Sequence, residues 1–285
     1  MSTDIHVVVD SIAAAAETVL KDEPRCHVLR LVVRQDNQEW YDGERSLEEM
    51  FEMVAQSGRL PTTSQPPIGS MLELFTELSR QGRKIIMLTV SSVLSGTYQT
   101  ACLAARQVMD EIPGADIRVV DSKTAACPIS GVAMEILSRT AAGMDLDAAE
   151  AMAASMFART ETFFSVNTLE YLQKGGRIGA VGALIGSILG IRPIIHLRAD
   201  GNLEVADKCR TRKKVLKRMT ELAAARQPIE AIYVAHAVAP EDAKALAEEM
   251  SALFPGVPVL ITGIGTVLAA HLGPGVIGLF VRRKA

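Results

Sequence analysis

The sequence predicts an α/β protein of two domains, with a doubly wound parallel sheet in the N-terminal domain. Its 285 residues are about twice the length of a typical single domain. In the first half, short aliphatic segments alternate with helical ones at the spacing typical of a parallel sheet. The segment 85–90 is aliphatic almost without interruption, which indicates a strand buried on both faces.

The elements of the first half follow one another in this alternating order. Strands are predicted at 5–9, 27–33, 85–90 and 117–120, and helices after Ser11, at 46–57, at 71–78, from Thr97, at 128–142 and at 145–159. Ser46 and Glu49 have the spacing of a capping box at the start of a helix. The segment 59–67 contains three prolines, which predicts a fixed loop without strand or helix.

The second half predicts an α/β domain with a mixed sheet, and topology alone places the boundary so that the domains are 1–160 and 161–285. Strands are predicted at 162–166, 193–198, 203–206, 232–236, 257–262 and 276–281, and helices within 167–179, at 178–191, at 210–225 and at 240–253. The turn 199–202 indicates a β-hairpin. The apolar segment 178–191 is shorter than the ~20 residues that span a membrane, so it predicts a buried helix. His271 is expected in a loop.

Composition excludes several classes of function. A net charge of −3 and an aromatic content of 4% argue against a nucleic-acid partner. The four cysteines are widely separated and have no histidine at zinc spacing, which predicts reduced thiols, no metal and a cytoplasmic protein. The N-terminus lacks the pattern of a signal peptide. No phosphate loop or G-x-S-x-G elbow is present, and no G-x-G-x-x-G opens a helix.

Polar side chains follow the predicted strand 85–90. Ser91 and Ser92 come directly after it, and a helix is expected to begin at Thr97. The carboxyl edge of a parallel sheet is where ligands bind, and a helix N-terminus would direct unpaired N–H groups there. These features indicate an anion site built from neutral donors. Helix capping is the alternative explanation for the same hydroxyl groups.

Nine short segments stand out along the chain. They lie at 10–11, 63–66, 91–99, 121–122, 169–177, 191–194, 200–201, 210–211 and 271–275. Together, and in this order, they resemble the DegV family over nearly the whole chain. Val93 and Leu272 replace residues that are usual in that family, but the residues matching its ligand positions are present.

The resemblance implies a two-domain DegV-like fold in which one long-chain fatty acid is buried between the domains. It implies no cofactor and no chemistry by the protein itself, because a separate ATP-dependent fatty acid kinase converts the presented carboxylate to an acyl phosphate for phospholipid synthesis. By position, the implied carboxylate ligands are Thr63, Ser64, Ser91, Ser92 and His271, and the implied kinase-docking residues are Arg177 and Arg210.

Physical estimates are consistent with such a ligand. Burial of a sixteen-carbon chain at ~0.8 kcal/mol per methylene supplies on the order of 10 kcal/mol, so the tail can provide the affinity. The candidates for lining an acyl tunnel are Ile178, Leu184, Ile188 and Ile194, although ordinary core packing explains each equally well. The basic residues within 208–218 are a solvated face, a docking surface for the kinase or a contact with anionic lipid.

One alternative function is an enzyme of the acyl hydrolase or transferase class. A serine of the 91–95 loop would be its nucleophile and His271 its base. A covalently acylated serine would distinguish this enzyme from a carrier, which would retain a free fatty acid.

Overall fold

The computed structural model describes residues 4–14, 20–184 and 190–285. They form two compact units, the first from residues 4–32 and Ser64–Ala158 and the second from Val33–Thr63 and Arg159–Ala285. The predicted boundary at 160 assigns the segment Val33–Thr63 to the first domain, whereas its contacts are with the second unit. The contacts of this segment are distant in sequence, so local composition carries no signal for them.

The strands are numbered in chain order. They are β1 (Ile5–Asp10), β2 (Cys26–Leu29), β3 (Val32–Gln35), β4 (Gln38–Tyr41), β5 (Thr62–Ser64), β6 (Lys84–Thr89), β7 (Ile117–Asp121), β8 (Thr160–Ser165), β9 (Arg192–Leu197), β10 (Leu203–Cys209), β11 (Ile229–His236), β12 (Val259–Gly263) and β13 (Ile277–Arg283).

The α-helices of the described ranges are numbered in the same way. They are α1 (Leu47–Ser57), α2 (Ile68–Arg80), α3 (Thr97–Glu111), α4 (Cys127–Ala141), α5 (Leu146–Ala158), α6 (Glu170–Lys174), α7 (Arg212–Ala224), α8 (Pro240–Leu253) and α9 (Thr266–Leu272).

The first unit is built on a four-stranded parallel sheet of order β2-β1-β6-β7. Side chains of β6 alternate between its two faces. Ile85 and Met87 pack with α2 and α3, whereas Ile86 and Leu88 pack with α4 and α5. Both faces are therefore covered by helices, which confirms the predicted doubly wound arrangement.

The second unit contains a six-stranded mixed sheet of order β10-β9-β8-β13-β11-β12. Only β11 and β12 are parallel neighbours, and the other pairs are antiparallel. Helices α7 and α8 contribute Val215, Met219, Leu246 and Met250 to the core on this sheet. The predicted mixed sheet is confirmed, and so is the hairpin, which connects β9 to β10.

The segment 33–63, with the residue on each side of it, forms a three-stranded sheet of order β4-β3-β5. The predicted strand 27–33 is wrong as one element, because the chain leaves β2 and begins β3 in a different sheet. The prediction that 59–67 contains no strand is also wrong. Three residues suffice for the edge strand β5, and the prolines at 61 and 66 lie just outside it. The capping box of Ser46 and Glu49 is confirmed.

Two further predictions differ from the structure. His271 lies in helix α9 and not in a loop, because seven residues between glycines are too few to show a helical period. The predicted helix 178–191 begins instead as a 3₁₀-helix over Gly179–Leu184, in which only Val181 is buried. Gly179 has a φ of 50°, outside the α-helical range. The rest of that prediction, 185–189, and part of the helix predicted after Ser11, 15–19, lie outside the described residues.

A helix that crosses a bilayer needs about 20 predominantly apolar residues. No helix of the described ranges combines length and apolar character to the degree that would let it cross a membrane.

Candidate functional site

Thr63 and His271 are in contact within the second unit, although 208 positions separate them in sequence. Thr63 is the middle residue of β5, and its Oγ1 lies 2.7 Å from Nε2 of His271. The histidine belongs to the last turn of α9. The structure therefore brings together two of the five residues that the resemblance names as carboxylate ligands.

The imidazole of His271 is held against the backbone of Gly175. A Cβ at Gly175 would lie 2.4 Å from Nδ1 of His271 and 2.9 Å from the carbonyl oxygen of Tyr171. Such distances are too short for any side chain, so this position requires glycine although its φ is −73°. The sequence shows the glycine pair at 175–176, but the reason for the first glycine is visible only in the structure.

Burial controls the charge state of His271. Desolvation, with a smaller contribution from the positive charge of Arg177, lowers the pKa of His271 to about 4. Its Nδ1 is buried and has no hydrogen-bond partner within the described ranges. The ring is therefore neutral at pH 7 and carries one N–H group.

The pair can act as a donor toward an anion. When the proton is on Nε2, the histidine donates to Oγ1 of Thr63, and the threonine hydroxyl is free to donate to another acceptor. By contrast, a nucleophile and base pair normally has an acidic residue that orients the second ring nitrogen. Within the described ranges, Nδ1 of His271 has no such residue.

The serine loop after β6 belongs to the first unit. The backbone N–H of Ser91 donates to the carbonyl of Thr124 over 2.9 Å, while its buried hydroxyl has no hydrogen-bond partner in the described part of the chain. The hydroxyl of Ser92 accepts from Nζ of Lys123 at 3.4 Å, and its N–H donates to Asp121 at 3.1 Å. Ser91, more than Ser92, therefore has a hydroxyl available for a ligand.

Asp121 is part of the same loop cluster. Its burial favours the neutral carboxyl group, but hydrogen bonds from Lys123 and Ser92 outweigh burial and lower the pKa of Asp121. Ser92 is thus one donor to an ionised carboxylate. Ser95 accepts from the N–H of Thr97 at 3.3 Å, but the N-cap of α3 is Gly96 and this helix has no side-chain cap among the described residues, so helix capping does not account for the serines of the loop.

A buried carboxyl group binds the backbone at the start of this loop. Asp10 is fully buried, and its oxygens accept from the N–H groups of Val90 at 2.7 Å and Ile12 at 3.1 Å. Val90 directly precedes Ser91. The sequence identified Asp10 only as part of a family segment, because a bond to a residue 80 positions away leaves no local pattern.

The remaining predicted ligand and tunnel residues are less informative. Ser64 is half-buried at the end of β5. Ile178, which directly precedes the 3₁₀-helix, and Leu184, its last residue, are also half-buried. Ile194 is fully buried in the core beneath α7, where ordinary packing explains it. Ile188 lies outside the described residues.

Both predicted docking residues are exposed in the second unit. Nη1 of Arg177 donates to the carbonyl of Gly175 over 2.7 Å, and Arg210 directly precedes the N-cap of α7. Arg212 and Arg218 form ion pairs with Asp242 and Asp207. Within the segment 208–218, the exposed basic residues without an ion pair to another described residue are Lys208, Arg210, Lys213, Lys214 and Lys217.

Across residues 4–14, 20–184 and 190–285, no three histidine, cysteine, aspartate or glutamate side chains are grouped so that they could hold a metal ion.

Comparisons with known proteins agree with this architecture. A family model described as "Uncharacterised protein, DegV family" matches residues 4–284. A DegV domain-containing protein of Streptomyces coelicolor is 36% identical over 254 residues, covering 85% of this chain and 88% of the relative. The crystal structure of a fatty acid binding DegV family protein from Streptococcus agalactiae has a TM-score of 0.89 and 27% identity, covering 99% of both chains.

A second solved structure is similar over the same length. It concerns fatty acid binding of a DegV family protein from Thermus thermophilus, with a TM-score of 0.88 and 29% identity, and covers 98% of this chain and 99% of that one. The α/β fold predicted from the sequence is the fold of these proteins.

Proposed function

Because the chain belongs to the DegV family, we propose that it binds one long-chain fatty acid and holds the carboxylate at Thr63 and His271. The observation that carries this proposal is the 2.7 Å contact between Oγ1 of Thr63 and the Nε2 of a neutral, largely buried imidazole. The relatives from Streptococcus agalactiae and Thermus thermophilus, whose fold this chain shares, are fatty-acid-binding proteins.

Neutral donors suit a carboxylate that must later react. An isolated carboxylate is costly to bury, and hydrogen bonds from hydroxyl and imidazole groups replace those it loses with water. A buried arginine or lysine would bind the head group more strongly, but it would also reduce the nucleophilicity of the carboxylate. Ser64, Ser91 and Ser92 complete the proposed donor set, and Ser91 has the available hydroxyl within it.

The tail supplies most of the proposed affinity. At ~0.8 kcal/mol per methylene, a buried sixteen-carbon chain contributes on the order of 10 kcal/mol before the costs of association. Ile178, Leu184 and Ile188 remain the proposed lining residues. Ile194 is less suited to this role, since it already packs in the core of the second unit.

The proposal assigns the chemistry to a partner. The protein presents the carboxylate to an ATP-dependent fatty acid kinase, which makes the acyl phosphate, and this kinase docks at Arg177 and Arg210. A low pKa and the lack of an acidic partner at Nδ1 within the described ranges make His271 a weak general base. These features favour a carrier over the acyl hydrolase or transferase. The exposed lysines near Arg210 offer the partner an extended positive surface, and transient contact with anionic lipid is the alternative use of that surface.

Native mass spectrometry of gently purified protein tests the proposal. A retained, non-covalent fatty acid is expected, and denaturation should release it and leave the unmodified chain. An acyl group that stays attached to a serine after denaturation would identify the enzyme instead. Protein that retains no fatty acid and binds no added oleate or palmitate contradicts the proposal.

A further inference from the structure

The N-terminus of α9 is capped by a carboxyl group from a distant part of the chain. Asp42 is only 3% exposed, and its Oδ1 accepts from Oγ1 of Thr266 at 2.9 Å and from the N–H of Val267 at 3.2 Å. The N-cap residue itself is Gly265, which has no side chain to do this. Asp42 therefore takes the role that a serine or aspartate at the N-cap normally has.

The neighbouring glycine makes room for this carboxyl group. Gly265 has a φ of −77° and a ψ of 176°, a conformation open to every residue. A Cβ there would lie 2.5 Å from Oδ1 of Asp42. The close approach of Asp42, and not backbone conformation, is therefore what requires glycine at position 265.

Helix α9 and the three-stranded sheet that Asp42 follows are also in contact at the proposed carboxylate site. Asp42 directly follows β4 and Thr63 lies in β5, and both strands belong to the sheet of order β4-β3-β5. On the other side, Thr266 and His271 are the first and sixth residues of α9. The small sheet thus contacts α9 at its first turn through Asp42 and at its last turn through Thr63.

We infer that Asp42 is a positioning residue that fixes α9 against the small sheet and thereby sets the contact between Thr63 and His271. A helix of seven residues has little stability of its own, so its position depends on contacts at its ends. The inference rests on the proposed function and deepens it, because head-group affinity then depends on a carboxyl group outside the binding site.

Four substitutions test this role from different directions. Asp42→Ala removes the cap, Gly265→Ala displaces it, and Thr266→Val removes one donor with little change of shape. Asp42→Asn retains an oxygen that can accept both hydrogen bonds. We expect D42A and G265A to weaken oleate binding about tenfold, as misplacement of a binding group does, with a smaller loss in T266V and near-normal binding in D42N.

A spectroscopic readout separates positioning from general stability. In ligand-free protein, the ¹⁵N shifts of the His271 imidazole should change in D42A and G265A and stay close to the wild-type values in D42N. Val234→Ala is the control, since it creates a cavity in a core cluster whose described members include no residue of α9 or the small sheet. It should lower the unfolding temperature and leave both the shifts and the oleate affinity unchanged.

The outcomes distinguish this inference from the function on which it rests. If Thr63→Val weakens oleate binding while D42A and G265A do not, the inference is overturned and the function stands. If wild-type protein binds no oleate, the proposed function fails, but the ¹⁵N shifts of His271 still test the inference. Shifts that change in D42A support it, and shifts that stay at the wild-type values overturn it. Should D42A fail to fold, the same comparison is made with G265A and T266V.

Discussion

Oγ1 of Thr63 and Nε2 of His271 are 2.7 Å apart in a setting where burial keeps the imidazole neutral. A threonine hydroxyl paired with a protonated ring nitrogen has its own hydrogen available for an outside acceptor. The head-group site proposed here therefore needs no buried cation. Its properties follow from how β5 and α9 are held together.

The threonine hydroxyl should be needed for binding, and its methyl group should not. Thr63→Val keeps the shape of the side chain but removes the donor, so we expect oleate affinity to fall roughly tenfold or more, as for a lost hydrogen bond to a charged group. Thr63→Ser retains the hydroxyl and should bind nearly as well as wild type. Calorimetric titration with oleate measures both. Equal affinities for the two variants would exclude Thr63 as a ligand.

His271 should make the protein less stable in acid. Its folded-state pKa of about 4 lies below the ordinary value of 6.5, so folding favours the neutral ring. The resulting stability is fully present above pH 6.5 and is lost as the pH falls toward 4. The full difference corresponds to on the order of 3 kcal/mol in the free energy of unfolding.

Urea unfolding at pH 7.5 and pH 4.5, in wild type and in His271→Gln, isolates this contribution. Glutamine places an amide near the position of Nε2 and does not titrate. The other histidines titrate in both proteins, so the variant should lose less stability between the two pH values. An identical loss in both proteins would show that His271 is not held neutral by the fold.

Gly175 should tolerate no side chain. A Cβ there would meet Nδ1 of His271 at 2.4 Å, so Gly175→Ala must displace the histidine or the backbone of Tyr171. Overpacking of this kind costs about 1–3 kcal/mol, and oleate affinity should fall with it. Gly263→Ala is the matched control in the same unit, because its Cβ would have no neighbour within 4 Å. Thermal unfolding and oleate titration of the two variants should differ clearly, and similar values would argue against the close contact.

Asp10 should support the serine loop of the first unit. Asp10→Ala leaves the buried N–H groups of Val90 and Ile12 without their acceptor, which costs about 1–3 kcal/mol for each buried group left unpaired. Asp110→Ala, on the exposed side of α3, should change the free energy of unfolding by less than about 0.5 kcal/mol. Urea unfolding monitors both. A D10A variant as stable as D110A would show that Asp10 does not support the serine loop.

Arg210 should affect the partner and not the ligand. Arg210→Glu reverses a charge on the exposed basic surface, so acyl phosphate formation with an ATP-dependent fatty acid kinase should fall strongly while oleate affinity stays unchanged. Lys244→Glu, at an exposed position of α8, is the charge-matched control and should retain kinase turnover. Loss of turnover in both variants would indicate a general charge effect and not docking at Arg210.

The sequence predicts the long elements of this fold well. Helix α8 has the predicted bounds of 240–253, and α3 begins at Thr97 as expected. Both have a sustained apolar pattern that local reasoning can detect. The parallel sheet is equally visible, because a strand buried on both faces is aliphatic along its length.

The elements that carry the site are those that the sequence could not predict. β5 has three residues and α9 has seven, too few for a periodic signal. Pairing with β3 maintains the first, and the cap from Asp42 maintains the second. Asp42 precedes Gly43 in the sequence, a pair typical of a turn, so local sequence gives no sign of its capping role. Thr63 and His271 were identified through the family resemblance, since nothing local connects two residues 208 positions apart.

The most direct test of the account compares oleate with oleyl alcohol in wild type, Thr63→Val and His271→Ala. The two ligands share the same tail, so their difference in affinity isolates recognition of the carboxylate. Wild type should prefer oleate roughly tenfold or more, because hydrogen bonds to a charged group are the stronger ones, and both variants should lose most of that preference. Equal preference for oleate in all three proteins would contradict the assignment of Thr63 and His271 as the carboxylate site.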